Sequence, residues 1–251
     1  MGKTVSINNK RYYVVDEKNL VYLPSVTTII GSMTDKTGLD AWRKRIGEEQ
    51  ADKISKFSAN RGTLKHTYIE NFLTSEKDEK KERLLDSLEC TTTYARRNNF
   101  TEDEIKIGRM LFFNFDNGGN FDVIKRVVMQ EEMLFSLNGG GYAGRVDNIY
   151  EDFYSANVIA DYKTSKKPKR DEWIEGYKMQ ISAYYVAYWE MFGIKPKRAE
   201  IWISNEQDHL PQIFTLTPDD IKFYYIKFIA LVKEFHAKFP SEVSEYISKE
   251  T

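Results

Sequence analysis

The sequence predicts an α/β fold in which a largely helical first half is followed by a set of strands, one long helix among them and another at the end. Three observations carry this expectation. Apolar residues recur at helical spacing up to about residue 117, the spacing changes to strand alternation after about residue 121, and a helix-length stretch at 171–192 separates the later strands. A single unit over residues 1–251 is expected, mostly helical in 1–120 and sheet-bearing in 121–240, because one apolar core stops growing near this size.

In chain order, residues 11–15 and 21–23 flank the turn-forming Asp16-Glu17-Lys18-Asn19 and read as a hairpin. Ser25 caps a helix over Val26–Met33, and a second helical stretch at 39–57 carries Ala41, Trp42, Ile46, Ala51 and Ile54. Arg61-Gly62-Thr63 marks a further helix start, with Leu64, Tyr68, Ile69, Phe72 and Leu73 as its stripe and His66 in its first turn. The charged residues 76–83 end that helix. Thr101 with Glu104 makes a capping box for a helix over 102–117, stopped by Gly118-Gly119.

Residues 123–128, 131–137, 142–150 and 157–162 read as strands, with Gly139-Gly140-Gly141 as the hairpin turn between the second and third. The helix at 171–192 is stopped by Gly193 and Pro196. Strands at 198–204 and Gln212–Leu216 follow, and Pro218 opens a closing helix that runs to about 239.

Composition excludes several classes. Hydrophobic residues at 41% and charged residues at 30% supply a packed interior, unlike a disordered chain. No run reaches the roughly 18 apolar residues of a membrane helix, and MGKTVSINNK lacks the apolar core of a signal peptide. A cytoplasmic protein of a bacterium or a phage-infected cell is expected, with a mitochondrial location open. One cysteine, Cys90, leaves no disulfide framework and no thiolate cluster. With a net charge of −1, attraction of a polyanion must rest on a local patch, and Lys163, Lys166, Lys167, Lys169 and Arg170 form one.

Chemistry concentrates in two short segments, Gly144-Arg145-Val146-Asp147 and Ile159-Ala160-Asp161-Tyr162-Lys163. Strand alternation puts Asp161 and Lys163 on one face and Tyr162 on the other. Two carboxylates and the Tyr162 carbonyl are hard oxygen donors of the kind Mg2+ or Mn2+ takes. Lys163 beside them suits orientation of a water or stabilisation of an oxyanion. Seventeen residues on, Gln180 and Tyr184 form an i,i+4 pair on one helix face.

The order His66, Gly-x-x-Asp147, Asp161-x-Lys163, Gln180-x-x-x-Tyr184 resembles the RecB-type branch of the PD-(D/E)XK nucleases. Arg61-Gly62-Thr63-Leu64-Lys65-His66 resembles that branch's helical histidine motif, and Pro24-Ser25-Val26-Thr27 is similar to an entry motif of members related to the mitochondrial genome-maintenance exonuclease. The resemblance covers about residues 23–204, although 74–124 match nothing in it.

It implies a restriction-endonuclease-like core with a central mixed sheet flanked by helices. It also implies metal ligation by Asp147, Asp161, the Tyr162 carbonyl and His66, catalysis by Lys163, and organisation of the site by Gln180 and Tyr184. An acid on the preceding strand often assists in this superfamily; Glu131 or Glu132 is placed for it, and the even spacing to Asp147 favours Glu131. Phosphate contacts are expected from Lys166, Lys167, Lys169, Arg170 and Arg61.

The expected activity is DNA hydrolysis, of single strands from an end, in recombination, repair or replication beside other proteins of those processes. Two further readings are a duplex-end or structure-specific endonuclease, and a binding module without the reaction, which the complete set Asp147, Asp161 and Lys163 opposes. No cysteine-ligated cluster and no ATP-binding motif accompany these residues.

Overall fold

The structure, a computed structural model, describes residues 2–117, 119–240 and 242–250. It begins with a three-stranded antiparallel sheet of β1 (Thr4–Ile7), β2 (Lys10–Asp16) and β3 (Val21–Pro24). The expected turn joins β2 to β3, where the Asp16 carboxylate accepts from the backbone N–H groups of Lys18 and Asn19. The next element, α1 (Val26–Met33), starts where expected, with the Ser25 hydroxyl accepting from the Thr28 N–H at 3.0 Å.

Two helices follow, α2 (Thr37–Ile46) and α3 (Glu48–Thr74), parted at Gly47. Its φ of 86° is a conformation that side chains resist, so the break falls there. The helix start expected at Arg61-Gly62-Thr63 does not exist. Those residues lie inside the 27-residue α3, and His66 occupies its interior. An interior glycine costs a helix only about 1 kcal/mol, which the packing of α3 outweighs.

Residues left unassigned by sequence form α4 (Lys80–Arg97). The capping box of α5 (Glu102–Asp116) is complete, since the Thr101 hydroxyl accepts from the Glu104 N–H and the Glu104 carboxylate accepts from the Thr101 N–H. Of the expected Gly118-Gly119 stop, Gly118 lies outside the described residues and Gly119 is left-handed at φ 75°.

The second sheet has five strands in the order β4 (Arg126–Ser136), β5 (Tyr142–Glu151), β6 (Asn157–Ser165), β7 (Arg198–Asn205) and β8 (Gln212–Leu216). All neighbours are antiparallel except β6 and β7. That parallel pair needs a crossover, which α6 (Glu175–Phe192) provides after a 3-10 turn at Asp171–Trp173. β4 merges the two strands expected at 123–128 and 131–137, absorbing a register shift between Val127 and Met129. A capped α7 (Pro218–Lys238) and a short α8 (Glu242–Glu250) complete the chain.

Alternation along the strands divides the core in two. Ile159, Ile201 and Ile203 pack with Ile181 of α6 and Phe228 of α7, whereas Val158, Ala160, Tyr162 and Trp202 pack with Tyr68 of α3 and Phe112 and Phe115 of α5. The mixed sheet therefore lies between two helical layers. Among the described residues, no helix is long and apolar enough to cross a membrane.

One irregularity positions the site. β5 and β6 pair only from Glu151↔Asn157 to Asn148↔Ala160. Past that point residues 142–146 pair with β4 and residues 161–165 pair with β7, so the sheet forks. Asp147 and Asp161 are the first residues beyond the fork.

Candidate active site

Past the fork, backbone groups of β6 are met by side chains. The Tyr162 N–H donates to Asp147 Oδ2 at 2.6 Å, the Tyr162 carbonyl faces His66 Nε2 at 2.8 Å, and the Lys163 carbonyl accepts from Lys65 Nζ at 3.1 Å. A carbonyl only accepts, so Nε2 carries the His66 proton. Nδ1 then turns toward Glu131 Oε1 at 3.6 Å and Asp147 Oδ1 at 3.8 Å.

A ring nitrogen facing two carboxylates needs a proton or a cation between them. Burial alone would lower the His66 pKa, but Asp147 and Glu131 outweigh it and the net shift is upward. Ligand atoms of His66, Glu131 and Asp147 lie within 4.8 Å of one another. Imidazole nitrogen with carboxylate oxygen suits a divalent cation such as Mn2+ or Mg2+, and an Nε2–H on a backbone carbonyl is how metal-binding histidines are commonly oriented. These three residues fit such an ion.

Glu131 reaches this group through its backbone. Pairs Gln130↔Asn148 and Glu132↔Val146 bracket it, which sets it opposite Asp147, and its φ of 52° is left-handed, a strained conformation for a residue with a side chain. Arg145 Nε holds its other oxygen at 2.7 Å. Glu132 is exposed.

Asp161 lies outside the three-residue group. It is wholly buried, with Oδ2 at 2.6 Å from Lys163 Nζ and Oδ1 accepting from Gln180 Nε2 at 3.1 Å. Burial raises its pKa, Lys163 opposes the rise and the charge of Asp147 adds to it. Burial would lower Lys163, but Asp161 and Asp147 outweigh this and hold it as an ammonium. Gln180 also donates to the Tyr184 hydroxyl at 3.3 Å. Gly144 makes that approach possible: a Cβ there would stand 2.4 Å from Tyr184 Cε1.

Residues 38–244 match the sequence model of the PD-(D/E)XK nuclease superfamily. This chain belongs to that superfamily. It is therefore a nuclease with a restriction-endonuclease-like α/β fold. No curated protein matches it in sequence.

Among solved structures it is similar to a candidate exonuclease from Eubacterium rectale, at 11% identity over 74% of this chain and 68% of that one, with a TM-score of 0.48. SSO0001 follows at 16% identity over 68% and 82%, TM-score 0.35, and Rai1 of Scheffersomyces stipitis at 10% identity over 70% and 59%, TM-score 0.26. At these scores the likeness extends to nothing in the chemistry.

In this PD-(D/E)XK nuclease His66, Glu131, Asp147, Lys163, Gln180 and Tyr184 all line one open cleft of about 400 Å³. The Tyr162 carbonyl, expected as a ligand, has one lone pair taken by His66 and keeps a second. Lys166, Lys167 and Arg170 are exposed past the end of β6 and are not among the cleft residues; Lys169 is half-buried, its backbone bonded to the Gln212 amide. Arg61 departs from expectation: it is 6% exposed and ion-paired to Glu206, so its guanidinium is committed within the protein and is no phosphate contact.

Sequence reasoning missed Lys65, Glu70, Arg145 and Arg11. Glu70 follows His66 by one helical turn and lines the cleft; burial and the charge of Glu131 raise its pKa. Lys65 is fully buried, and burial together with Lys163 lowers its pKa to about 7 against the pull of Asp147 and Asp161. The signal was present, since Lys65 falls within the apolar stripe of Leu64, Tyr68, Ile69 and Phe72 where a lysine is out of place.

Proposed function

We propose that this nuclease is a DNA exonuclease dependent on Mg2+ or Mn2+, hydrolysing single strands from an end in recombination, repair or replication. The observation that carries the reading is the meeting of His66, Glu131 and Asp147 beside the Asp161–Lys163 pair at the base of one cleft. Bound there, a divalent cation would stabilise charge on a phosphoryl group and acidify a water.

His66, Glu131 and Asp147 would hold that ion, with the Asp161 carboxylate, in contact with Lys163 and Gln180, nearby as a further oxygen donor. Lys163 stays charged beside Asp161 and presents its ammonium to the water or to a phosphate oxygen. Gln180, braced by Tyr184, fixes the carboxylate that positions Lys163.

A cleft of about 400 Å³ has room for a few nucleotides of an unpaired strand. Lys166, Lys167, Lys169 and Arg170 would add sequence-independent phosphate contacts along the strand. Ser58 and Ala59 of α3 line the cleft, and α3 buries only Ala51 before Arg61, so this stretch of the helix is free to border the entering strand.

The test is digestion of end-labelled single-stranded, duplex and circular DNA with Mg2+, Mn2+ or a chelator. Metal-dependent loss of label from linear single strands supports the proposal. Cutting of circles would replace it with an endonuclease, and no cleavage of any substrate would overturn it.

A further inference from the structure

On α3, two consecutive residues grip two consecutive carbonyls of β6. His66 takes that of Tyr162, on the edge of β6 that has no strand partner beyond Ala160, and Lys65 takes that of Lys163, a residue β6 pairs with Ile203 of β7. Lys65 is 0% exposed, and its Nζ lies 4.3 Å from the Phe115 ring centroid and 5.7 Å from that of Tyr162. Lys65 Nζ makes no ion pair among the described residues, and its hydrogen bond goes to the Lys163 carbonyl.

Burying a lysine without a carboxylate is costly, and an apolar side chain of the same length would fill this space without that cost. What the lysine adds is a fixed peptide. The direction of a strand side chain follows from the orientation of its own backbone, so holding the Lys163 carbonyl holds the bond from which the Lys163 side chain leaves. β7 pairs with this segment through Lys163↔Ile203, and Lys65 adds a hydrogen bond to the same peptide from the α3 side of the sheet.

We propose that Lys65 is a positioning residue for Lys163: from inside the core it fixes the strand segment that aims the Lys163 ammonium into the cleft. This rests on the reading that Lys163 serves hydrolysis. The Lys65 side chain makes no hydrogen bond or ion pair to the His66 ring, Glu131 or Asp147 among the described residues, so its effect belongs to turnover.

The experiment compares wild type with Lys65→Met in Mn2+-supported digestion of a single strand, with Mn2+ calorimetry and thermal melting of the DNA-free protein. A displacement of Lys163 by about 1 Å is expected to lower kcat about 10²-fold. KM and the Mn2+ affinity are expected to stay within about threefold and Tm within about 5 °C, because the ligands and the core volume remain.

An unchanged kcat overturns the proposal, as does a loss of kcat accompanied by an equal loss of Mn2+ affinity or a Tm lower by more than about 10 °C. If Lys65→Met does not fold, Lys65→Gln, which keeps a shorter N–H donor, carries the same readouts with about a tenfold loss of kcat expected. A wild type that cleaves nothing sinks the nuclease chemistry and the positioning role together; an active wild type with an unimpaired variant sinks the positioning role alone.

Discussion

The Tyr162 N–H donates to the Asp147 carboxylate at 2.6 Å, so one side chain both faces the candidate metal group and closes the gap where β5 and β6 part. Its second oxygen is the one directed at His66 Nδ1. The two duties separate by substitution.

Asp147→Asn keeps an oxygen for the Tyr162 N–H but removes the charge. Stability within about 1 kcal/mol of wild type is expected, with Mn2+ affinity lowered at least about tenfold. Asp147→Ala loses the acceptor as well and adds about 1–3 kcal/mol of destabilisation from the buried N–H. Calorimetric titration and urea unfolding measure the two effects; wild-type Mn2+ affinity in Asp147→Asn would remove Asp147 from the metal group.

Lys163→Met strands the buried Asp161 carboxylate without its ion-pair partner. Destabilisation of about 3 kcal/mol is expected, together with loss of cleavage and retained DNA binding. Single-turnover digestion and a filter-binding titration check the pair of outcomes. Cleavage at the wild-type rate would show that the ammonium takes no part.

Gly144→Ala drives a methyl group into Tyr184, 2.4 Å from Cε1 and 2.7 Å from the hydroxyl oxygen. A cost of about 1–3 kcal/mol is expected, with a slower reaction as Gln180 loses its brace. The companion variant Gly144→Ala/Tyr184→Ala, which empties the space, should recover the methyl-clash part of the stability loss in a denaturant melt. No recovery would place the strain elsewhere.

These contacts separate what local sequence encodes from what the fold alone creates. Ser25, Thr101 with Glu104, and Pro218 are caps whose meaning lies within four residues, and α1 and β8 begin and end where the pattern puts them. The shared face of Asp161 and Lys163 is legible for the same reason, being a matter of alternation. α4 escaped notice because the side it buries against α3 consists of Ser87, Thr91 and Ala95, small residues that leave no apolar stripe.

The meeting of Glu131 with Asp147 depends on strand register and a left-handed backbone, neither of which spacing reveals. Arg61 misled because a cation beside a nucleic-acid motif is indistinguishable, in sequence, from one spent on a distant Glu206.

Glu242 ties α8 to the first sheet by accepting from Lys10 Nζ at 2.6 Å and the Tyr12 hydroxyl at 2.8 Å. Burial would raise its pKa, but Lys10, Tyr12 and Asn8 outweigh that and lower it below the ordinary 4.5. A lowered folded-state pKa contributes stability that is present above about pH 4.5 and lost as pH falls through the lower folded value. Glu242→Gln should therefore be less stable by about 2 kcal/mol at pH 7, with the difference shrinking below pH 4. Urea melts at both pH values decide it, and a constant difference would refute the linkage.

Arg11 lines the cleft, and among the described residues its guanidinium hydrogen-bonds only to the Thr27 hydroxyl, at 2.9 Å, whereas Arg145 and Lys163 face carboxylates. Arg11→Gln should weaken single-strand binding and flatten the slope of log K against log salt by about 0.7, the value for one phosphate contact. Fluorescence anisotropy at several salt concentrations measures the slope. An unchanged slope would mean that Arg11 meets no phosphate.

The fork between β5 and β6 leaves the reactive end of the sheet furnished by individual side chains, where a neighbouring strand would have supplied a repeating ladder. A ladder changes only by shifting whole strands, and one slipped residue inverts every side chain along it. Here Lys65, His66 and Asp147 each serve a single backbone atom, so the local geometry can be retuned one position at a time while the pairing that supports the remainder of the molecule stays in register.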